Sequence, residues 1–534
     1  GTLTHNGTTL TAAAATDAFV ARFAPPVSGP PAPVVSGLNP TSGPVGTVVT
    51  ISGSNLSGPT GVTFNGTAAS FSAVSGGSLT ATVPTGATSG PVVVSTGGGA
   101  SNGLTFTVTT PPVPAPVITS FAPLHTVAGA TVVISGTGFT NATLVRFNGR
   151  PAVFSADGTG TVITATVPPD ATSGPLAVTT PGGETAADAP FGLDLLISTA
   201  QLVEFGQYVD VTITGTGLAT LNAGLDVRGT LRVQAGGALD FNGHSVYGSG
   251  SFVSEDGTSL TLHQPDGLTL APATLGDVQV SGARTYSPDA AYTYRGTGVT
   301  GAALPATVRT LTIGDGGTRT LSQPLAVRRL LTLDGAGHLL LNGQLLTLRS
   351  DASGQAMLVN RGTGRVQGTA TVERFLAPTF TTAVGYHHLS SPVQAAPVSD
   401  LTCAGFAPVV NPAYNTAANP AAVRPQPTVF GYDESRLPAN GDFSSGYFSP
   451  AAPSTPLLSG RGYSTYISTN RTPDFVGTLT QDDVPLTLTR TGTTSKSGWH
   501  LLGNPFAAPL CWDSVPVPPG LNGAIWVWQS TGGT

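Results

Sequence analysis

The sequence predicts an all-β protein built from several domains in series, and three observations lead to this fold class. Glycine occurs 70 times and proline 45 times in 534 residues, and together with threonine they separate short strands rather than long helices. No run keeps helical apolar spacing for more than about two turns. Hydrophobic residues reach 40% and charged residues only 9%, so the chain can bury cores instead of remaining disordered.

The charge balance and the hydrophobic pattern argue against two classes of partner. A net charge of −6 without a basic stripe gives no electrostatic footprint for nucleic acid. No apolar stretch approaches the roughly 20 residues of a membrane-spanning helix, so the chain is predicted not to be transmembrane. It starts without methionine or a signal peptide, and we expect it to be processed or to be part of a larger protein.

Two segments repeat almost verbatim, 83 residues apart. "APVVSGLNPTSGPVGTVVTISGSNL" begins at Ala32 and "APVITSFAPLHTVAGATVVISGTGF" begins at Ala115. Each continues with a strand ending in Phe-Asn-Gly, a Thr-Ala-Thr-Val-Pro strand, and Ala-Thr-Ser-Gly-Pro. Strands and turns at intervals of about ten residues predict a small β-sandwich over residues 32–110 and a second over 115–194.

These motifs resemble the IPT/TIG family, and the resemblance covers both segments nearly from end to end. It implies an immunoglobulin-like fold for each. The second copy departs from the pattern only where Leu-His-Thr-Val (124–127) replaces Thr-Ser-Gly-Pro (41–44), at one turn.

Proline-rich segments flank the two modules. Residues 25–31 precede them and "TPPVPAP" joins them, and both favour extended, semi-rigid linkers. Residues 1–24 contain "TDAFVARF", which resembles the end of a bacterial β-propeller-type repeat, so we expect this piece to close a preceding unit.

Residues 195–375 are predicted to form a parallel β-solenoid. "LDVRGTLRVQAGGALDFNGHSVYG" (225–248) and "LAVRRLLTLDGAGHLLLNGQLLTL" (325–348) align without a gap at an offset of 100. Strands of three to five residues with one apolar face suit stacked rungs, with Asn and Gly at left-handed corners. The segment resembles right-handed β-helix regions of secreted bacterial proteins. An antiparallel β-sandwich is the alternative.

Residues 376–534 are predicted to form a C-terminal β-sandwich that is incomplete at its end. All four tryptophans lie here, and the segments "GYHHLSSPV", "GRGYSTYIS" and "GWHLLGNPFAAPLCWD" occur in that order. Together they resemble a region of very large secreted proteins of Bacteroidota that usually precedes a sorting domain for type IX secretion. This resemblance implies a secreted or cell-surface location.

Cysteine and lysine are both scarce. Cys403 and Cys511 are the only cysteines, and an extracellular setting favours a disulfide between them, with two free thiols as the alternative. Such a bond would close a long loop and contribute about 4–5 kcal/mol. Lys496 is the only lysine, which argues against serial Lys–Asn isopeptide cross-links.

Two motifs superficially match catalytic or cofactor sites. Gly243-His244-Ser245 resembles a nucleophile elbow but lacks its final glycine and the following helix, and the aligned copy carries Gln344-Leu345, so a structural corner is favoured. Residues 296–301 read G-x-G-x-x-G, but a proline follows where the nucleotide-binding helix would run. We interpret both as turns and assign no catalytic residue.

No metal or cofactor site is assigned. The adjacent His387 and His388 would point to opposite faces of a strand. The acidic pairs at 433–434 and 482–483 would bind Ca²⁺ only weakly, because hard cations need several oxygens.

Two aromatic pairs have a spacing that places both rings on one face of a strand. Trp526 and Trp528 form one pair, and Tyr292 and Tyr294 form the other. If exposed, such a pair would make a stacking site for sugar rings; buried core is the favoured interpretation. The first 200 residues have neither Trp nor Tyr, so the two modules are better spacers than sugar platforms.

The sequence thus favours a non-enzymatic extracellular or cell-surface structural protein, such as a multi-domain stalk, adhesin or fibre subunit. Its expected partners are further copies of itself, joined end to end, or surface glycans and proteins. The first alternative is a carbohydrate-binding adhesin module that uses the C-terminal aromatics or a solenoid face. The second is a β-helix polysaccharide-degrading enzyme, which would need Asp, Arg and Lys clustered on one solenoid face.

Overall fold

The computed structural model is all-β, as predicted. It describes residues 2–5, 8–11, 29–377, 385–437, 442–493, 495–511, 514–516 and 519–521. In these ranges the extended elements are strands, and the helices are short 3₁₀ turns. No helix in this part of the chain has the length and apolar character needed to cross a membrane. The chain divides into two compact units, residues 1–114 and 115–534.

The first unit contains a β-sandwich. Val49 and Ile51 face inward from one sheet, and Phe64 and Phe106 face them from the other, with their rings in edge contact at 5.3 Å. The first sheet has the order Val34–Asn39, Val48–Ser54, Ser78–Thr82, Phe71–Ser75. The second has the order Ser42–Gly43, Leu104–Val108, Gly90–Thr96, Gly61–Phe64, Thr67–Ala68, with Gly99–Ala100 also paired to Gly90–Thr96.

The N-terminal residues add a separate hairpin of Thr2–His5 and Thr8–Thr11. The propeller-like prediction depends on residues 16–23, which lie outside the described residues.

The Phe-Asn-Gly and Ala-Thr-Ser-Gly-Pro motifs recur because they meet in space. Asn65 has a left-handed φ of 44°, and its amide donates to Thr88 Oγ1 at 2.8 Å. In the second module Asn148 also has a φ of 44° and donates to Thr172 Oγ1 at 2.8 Å. A Cβ on Gly90 would lie 2.4 Å from the Cγ of Asn65, so the Gly of the second motif leaves room for the Asn of the first.

The second unit begins with an equivalent β-sandwich. Its core includes Phe147 and Phe191 in edge contact at 4.7 Å. One sheet has the order Val117–Ala122, Thr131–Thr137, Val162–Thr166, Val153–Ala156. The other has the order Arg150–Pro151, Leu144–Phe147, Leu176–Thr180, Gly183–Ala186.

One continuous strand joins this sandwich to the solenoid. In Gly192–Ile197, residues 192–194 pair in parallel with His125–Val127 of the sandwich, and residues 195–197 pair with Val211–Ile213 of the next rung. The departure from the repeat at 124–127 therefore marks the junction with the solenoid. Because backbone hydrogen bonds continue through the strand, this joint has no flexible linker.

The solenoid consists of stacked parallel sheets, which confirms the predicted solenoid over the antiparallel alternative for this segment. Its first sheet contains Gly192–Ile197, Val211–Ile213, Thr230–Val233, Ser251–Ser254 and Arg284–Thr285. Its second contains Ala200–Val203, Leu218–Leu221, Ala238–Asp240, Ser259–Leu262, Ala291–Arg295, Thr307–Gly314, Leu325–Leu333, Leu346–Leu348, Met357–Asn360 and Thr369–Glu373.

Two shorter parallel sheets complete the rungs. One contains Gly206–Tyr208, Leu225–Val227 and Val246–Tyr247. The other contains Gly298–Val299, Thr318–Thr320, His338–Leu340 and Val366–Gln367. A small hairpin of Ser350–Asp351 and Gly354–Gln355 projects from a late rung.

The Asn-Gly corners have the predicted left-handed backbone. Asn242 and Asn342 have φ values of 46° and 50°, and the glycine after each also has positive φ. The preceding Phe241 and Leu341 are buried in the solenoid core. An apolar residue followed by Asn-Gly therefore fills the core and then turns the chain.

The two aligned segments do not occupy the same sheets. Successive register partners on adjacent strands lead from Ala238 to Leu330, by way of Ser259, Ala291 and Thr310. The alignment at an offset of 100 instead pairs Ala238 with His338, eight residues after Leu330. The rung from Ser259 to Ala291 is longer than its neighbours. This insertion shifts the later rungs relative to the earlier ones.

The C-terminal region closes the end of the solenoid and adds an antiparallel sheet. Asp474–Thr478 pairs with Thr369–Glu373, so the last solenoid strand does not present an open edge. The added sheet has the order Tyr386–Leu389, Tyr463–Tyr466, Val429–Tyr432, Tyr447–Phe448. The 3₁₀ helices are Val398–Leu401, Pro412–Asn415, Pro420–Ala422, Glu434–Arg436 and Phe443–Gly446. Since the described residues after 376 form this one sheet of their own, the second sheet of the predicted sandwich stays a prediction.

Candidate functional site

An aromatic surface extends over the C-terminal antiparallel sheet. It consists of eight aromatic side chains, and the centroid of each ring lies within 6.5 Å of the centroid of another ring in the group. Its members are Tyr386, Tyr414, Phe430, Tyr432, Phe443, Tyr447, Tyr466 and Trp499.

Two pairs of rings on the aromatic surface are open to solvent. Tyr386 and Tyr466 are 39% and 40% exposed, with centroids 5.2 Å apart and ring planes at 66°. Phe443 and Trp499 are 39% and 40% exposed, with centroids 6.5 Å apart and ring planes at 88°. Each pair forms a corner in which the face of one ring adjoins the edge of the other. Buried rings of the same surface lie between the pairs.

Strand register creates the first exposed pair. Tyr386 and Tyr466 are directly opposite each other on neighbouring antiparallel strands, 80 residues apart in sequence. Side chains alternate between the two faces of a strand, so His387 is buried while Tyr386 faces solvent. Cross-strand aromatic pairs of this kind also stabilise the sheet.

A buried carboxylate supports the segment that carries Trp499. Glu434 is fully buried and accepts hydrogen bonds from Thr489 Oγ1 at 3.0 Å, from the Thr491 amide at 3.2 Å and from the Gly498 amide at 3.3 Å. Burial disfavours the charged form, but these hydrogen bonds outweigh it and hold the pKa of Glu434 below its usual value. Gly498 immediately precedes Trp499, so this carboxylate positions the second exposed pair.

A histidine and two aspartates meet at the joint between the second sandwich and the solenoid. His125 Nδ1 lies 2.9 Å from Asp194 Oδ2, and Asp194 Oδ1 accepts the Asp210 amide at 3.0 Å. Asp210 accepts the Thr230 amide at 2.7 Å. The hydrogen bond to Asp194 raises the pKa of His125 above its usual value.

The three groups bring metal-ligating atoms within 4.8 Å of one another, which the sequence spacing did not indicate. Each of them already has a partner within the protein. We interpret the cluster as an ion pair and hydrogen-bond network that ties the sandwich to the first rung.

Comparison with known families identifies the two sandwiches. The model of the IPT/TIG domain matches residues 33–108 and 116–191. Both segments are IPT/TIG domains. The predicted domains 32–110 and 115–194 enclose the two matches, and the resemblance drawn from the repeated motifs is confirmed.

Several solved structures are similar over part of the chain. SGBP-B from a complex xyloglucan utilization locus in Bacteroides uniformis is 20% identical, and the match covers 30% of this chain and 49% of that one, with a TM-score of 0.15. The surface glycan-binding protein PbSGBP-B from Prevotella bryantii is 24% identical over 28% and 38% of the two chains, with a TM-score of 0.17. A γ-CGTase from an alkalophilic Bacillus clarkii is 17% identical over 29% and 24%, with a TM-score of 0.14.

Each match thus covers less than half of the other protein's length. No curated protein matches the chain.

The serine-hydrolase interpretation of 243–245 finds no support in the contacts of Ser245. Its hydroxyl donates to the Gly276 carbonyl at 3.2 Å and accepts from Gln279 Nε2 at 3.0 Å. The amide of His244 donates to the Phe241 carbonyl at 2.7 Å and closes the corner. At 296–301 the chain forms the short strand Gly298–Val299 followed by a turn, without the helix that a nucleotide site requires.

Of the two predicted aromatic pairs, one is core and one lies outside the described residues. Tyr292 and Tyr294 point into the solenoid, and their hydroxyls donate to the carbonyls of Ser287 and Thr300, each at 2.6 Å. Trp526 and Trp528 are not among the described residues, so their role in ligand stacking stays a prediction.

Cys403 and Cys511 are not bonded to each other in the structure, and the disulfide between them stays a prediction. Cys403 is partly buried in a tight turn, where its backbone bridges to Phe406. Cys511 is exposed, and its sulfur accepts from Ser514 Oγ at 3.3 Å.

The remaining candidate ligands have structural contacts. His387 is buried and His388 exposed, so the two rings lie on opposite faces, as predicted. Asp482 Oδ2 accepts from Arg365 Nη1 at 2.9 Å, and Asp433 accepts the Ser435 amide at 2.9 Å. These contacts do not indicate a calcium site.

Charged side chains on the solenoid pair across rungs instead of converging. The enzyme alternative requires acidic and basic groups clustered on one face. In the described part of the solenoid, four arginines instead pair with an acidic side chain on another rung: Arg232–Glu255 at 2.9 Å, Arg295–Asp315 at 2.6 Å, Arg328–Asp289 at 2.6 Å and Arg349–Glu373 at 2.7 Å. This pattern does not favour the enzyme alternative.

Proposed function

We propose that the protein is an extracellular, non-enzymatic glycan-binding protein whose aromatic surface contacts the sugar. The observation that carries this proposal is the presence of two solvent-open aromatic corners, Tyr386–Tyr466 and Phe443–Trp499, on one continuous aromatic surface. The sequence-based preference was a stalk or fibre subunit. The geometry favours its carbohydrate-binding alternative.

A sugar ring has an apolar face and a polar edge. Its axial C–H groups form an apolar face that packs on an aromatic ring, while its hydroxyls remain at the edge. Tyrosine and tryptophan combine a large apolar face with a polar tip, which suits a ligand that is partly hydrated. A pair of rings at a steep angle contacts both the face and the edge of one sugar residue.

The remaining domains support a presenting role. The IPT/TIG domains lack Trp and Tyr, and the second of them continues into the solenoid through one strand. We propose that the second IPT/TIG domain and the solenoid form a continuous scaffold that carries the aromatic surface. These domains thus keep a supporting role like that of the predicted stalk, and the proposal does not include end-to-end assembly of copies.

The test is affinity electrophoresis of the full chain in gels containing soluble polysaccharides, followed by titration calorimetry with those that retard it. Replacing both Tyr386 and Tyr466 by Ala is expected to weaken binding about 30-fold, because truncating a central aromatic contact costs about 2 kcal/mol. Replacing both by Phe should preserve binding, since the ring faces remain.

The matched control is Phe205→Ala, which removes a ring that is 69% exposed on the solenoid. It should leave binding unchanged. Equal affinity of the unsubstituted protein and the double Ala variant would reject the aromatic surface as the site, provided that the melting temperatures agree.

A further inference from the structure

A small cleft adjoins the aromatic surface at Tyr466. It has a volume of about 290 Å³, and its lining includes Phe406, Thr428, Tyr466, Arg471 and residues 467–469. Pockets for drug-sized ligands have volumes of about 300–1,000 Å³, so this cleft suits a single sugar residue. Because Tyr466 belongs to both features, a glycan stacked on the first aromatic corner would place its next residue in the cleft.

Arg471 gives the cleft a fixed positive charge. Its backbone exchanges hydrogen bonds with Leu376 at 2.8 and 3.0 Å, and its side chain donates to the carbonyls of Asn470 at 3.1 Å and Gly405 at 3.0 Å. A Cβ on Gly405 would lie 2.7 Å from Arg471 Nη2, so the absence of a side chain there lets the guanidinium lie against the backbone. The charged group is therefore held in place before any ligand arrives.

Contacts with the described residues leave donors of the Arg471 guanidinium for a ligand. The guanidinium has five N–H groups, and the two hydrogen bonds to carbonyls use two of them. Among the described residues, no carboxylate forms an ion pair with Arg471, whereas many other arginines of the chain have such a partner. A planar guanidinium with free donors matches a carboxylate or sulfate group in a bidentate arrangement.

We infer that this cleft binds an anionic sugar residue, carrying a carboxylate or a sulfate, of the glycan that stacks on the aromatic surface. The inference rests on the proposed glycan-binding function. Tyr466 would contact the face of the sugar ring, and Arg471 would pair with its anionic group. The exposed Ser468 and Thr469 at the rim supply hydroxyls for the sugar's own hydroxyls.

Because the chain has a net negative charge, a preference for acidic polysaccharides would indicate a local positively charged site. At −6 the protein as a whole repels polyanions, so a preference for an acidic polysaccharide must come from a local site. Polygalacturonate and its fully methyl-esterified form share one backbone and differ in charge. Dextran sulfate and dextran provide the same comparison for sulfate.

The experiment measures binding of the full chain to these four polymers by titration calorimetry. We expect one charged polymer to bind about tenfold more tightly than its neutral counterpart, which is about 1.4 kcal/mol. Arg471→Gln should abolish that preference and leave the neutral polymer unaffected, while Arg471→Lys should retain part of it. A preference within the polygalacturonate pair would indicate a carboxylate site, and a preference within the dextran pair would indicate a sulfate site. Arg424→Gln, at an exposed arginine elsewhere in the same region, should have no effect.

The outcomes distinguish a failure of the anionic-sugar site from a failure of the proposed glycan-binding function. Binding without any charge preference, or a preference that persists in Arg471→Gln, overturns the inference and leaves the proposed function standing. If neither these polymers nor a broad glycan panel binds, the proposed function fails and the inference fails with it. Equal melting temperatures of the variants and the unsubstituted protein exclude misfolding as the cause.

Discussion

Replacing Arg319 by methionine is expected to lower the free energy of unfolding of the solenoid by about 3–5 kcal/mol. The guanidinium is fully buried and lies 5.2 Å above the ring centroid of Tyr294. It donates to the carbonyls of Gln264 at 2.9 Å and Val299 at 3.2 Å, and also to that of Arg295. Methionine fills a similar volume but removes the donor that these part-buried carbonyls share, although the Gln264 carbonyl keeps a hydrogen bond from the Gly267 amide at 3.2 Å. An acceptor that loses its donor away from water costs about 1–3 kcal/mol.

Asp277 adds to this expected loss. Its carboxyl is buried, and burial raises its pKa to about 6 although the amides of His263 and Gln264 and the charge of Arg319 oppose the shift. Without Arg319, the charged form of Asp277 loses a favourable interaction inside the solenoid.

The measurement for Arg319 is urea unfolding, with hydrogen exchange of peptides from residues 263–320 as the local readout. Arg309→Met is the control, because Arg309 is exposed on the preceding strand of the chain and its loss should cost less than about 0.5 kcal/mol. Indistinguishable unfolding midpoints for the two variants would contradict the buried position of Arg319.

Leu331→Ala is expected to destabilise the solenoid by about 2–5 kcal/mol. Leu331 is fully buried, and its register neighbours on the two adjacent strands are Leu311 and Leu358. Truncation removes apolar area from the core and leaves a cavity that a stack of parallel strands cannot easily close.

The same substitution one position earlier is the control. Leu330 is on the outward face of the same strand and is only half-buried, so Leu330→Ala should cost less than about 1 kcal/mol. The difference in unfolding free energy between the two variants measures the alternation of faces directly. A larger loss for Leu330→Ala would mean that the strand is rotated relative to the structure described above.

Local patterns were sufficient to predict the repeated modules and the solenoid corners. The Phe-Asn-Gly motifs and the Asn-Gly pairs at 242 and 342 form backbone turns with positive φ, which few other residues adopt. A single sequence is therefore enough to predict these turns. The spacing of Tyr292 and Tyr294 likewise placed both rings on one face, and both are core. Each of these features depends on residues close together in the chain.

Features that depend on distant residues were missed. Arg319 has a charge that normally indicates solvent exposure, and its carbonyl partners lie up to 56 residues away, beside an inserted segment. The same insertion shifts the sheets, which an ungapped alignment cannot show.

The aromatic surface was missed for a similar reason. It needs the register that sets Tyr386 opposite Tyr466 and the buried Glu434 that supports the segment of Trp499. The alternation around Tyr386 and His387 was the one signal in the sequence, since it indicated that one of the two side chains faces solvent.

Hydroxyl-radical footprinting of the full chain determines whether a bound glycan lies on the aromatic surface. The probe is the polysaccharide that retards the protein most strongly in affinity gels. We expect oxidation of Tyr386, Tyr466, Phe443 and Trp499 to fall on binding, while oxidation of the exposed Phe205 on the solenoid does not change. Protection of Phe205 with unchanged oxidation of the four surface rings would reject the aromatic surface and place the site on the solenoid.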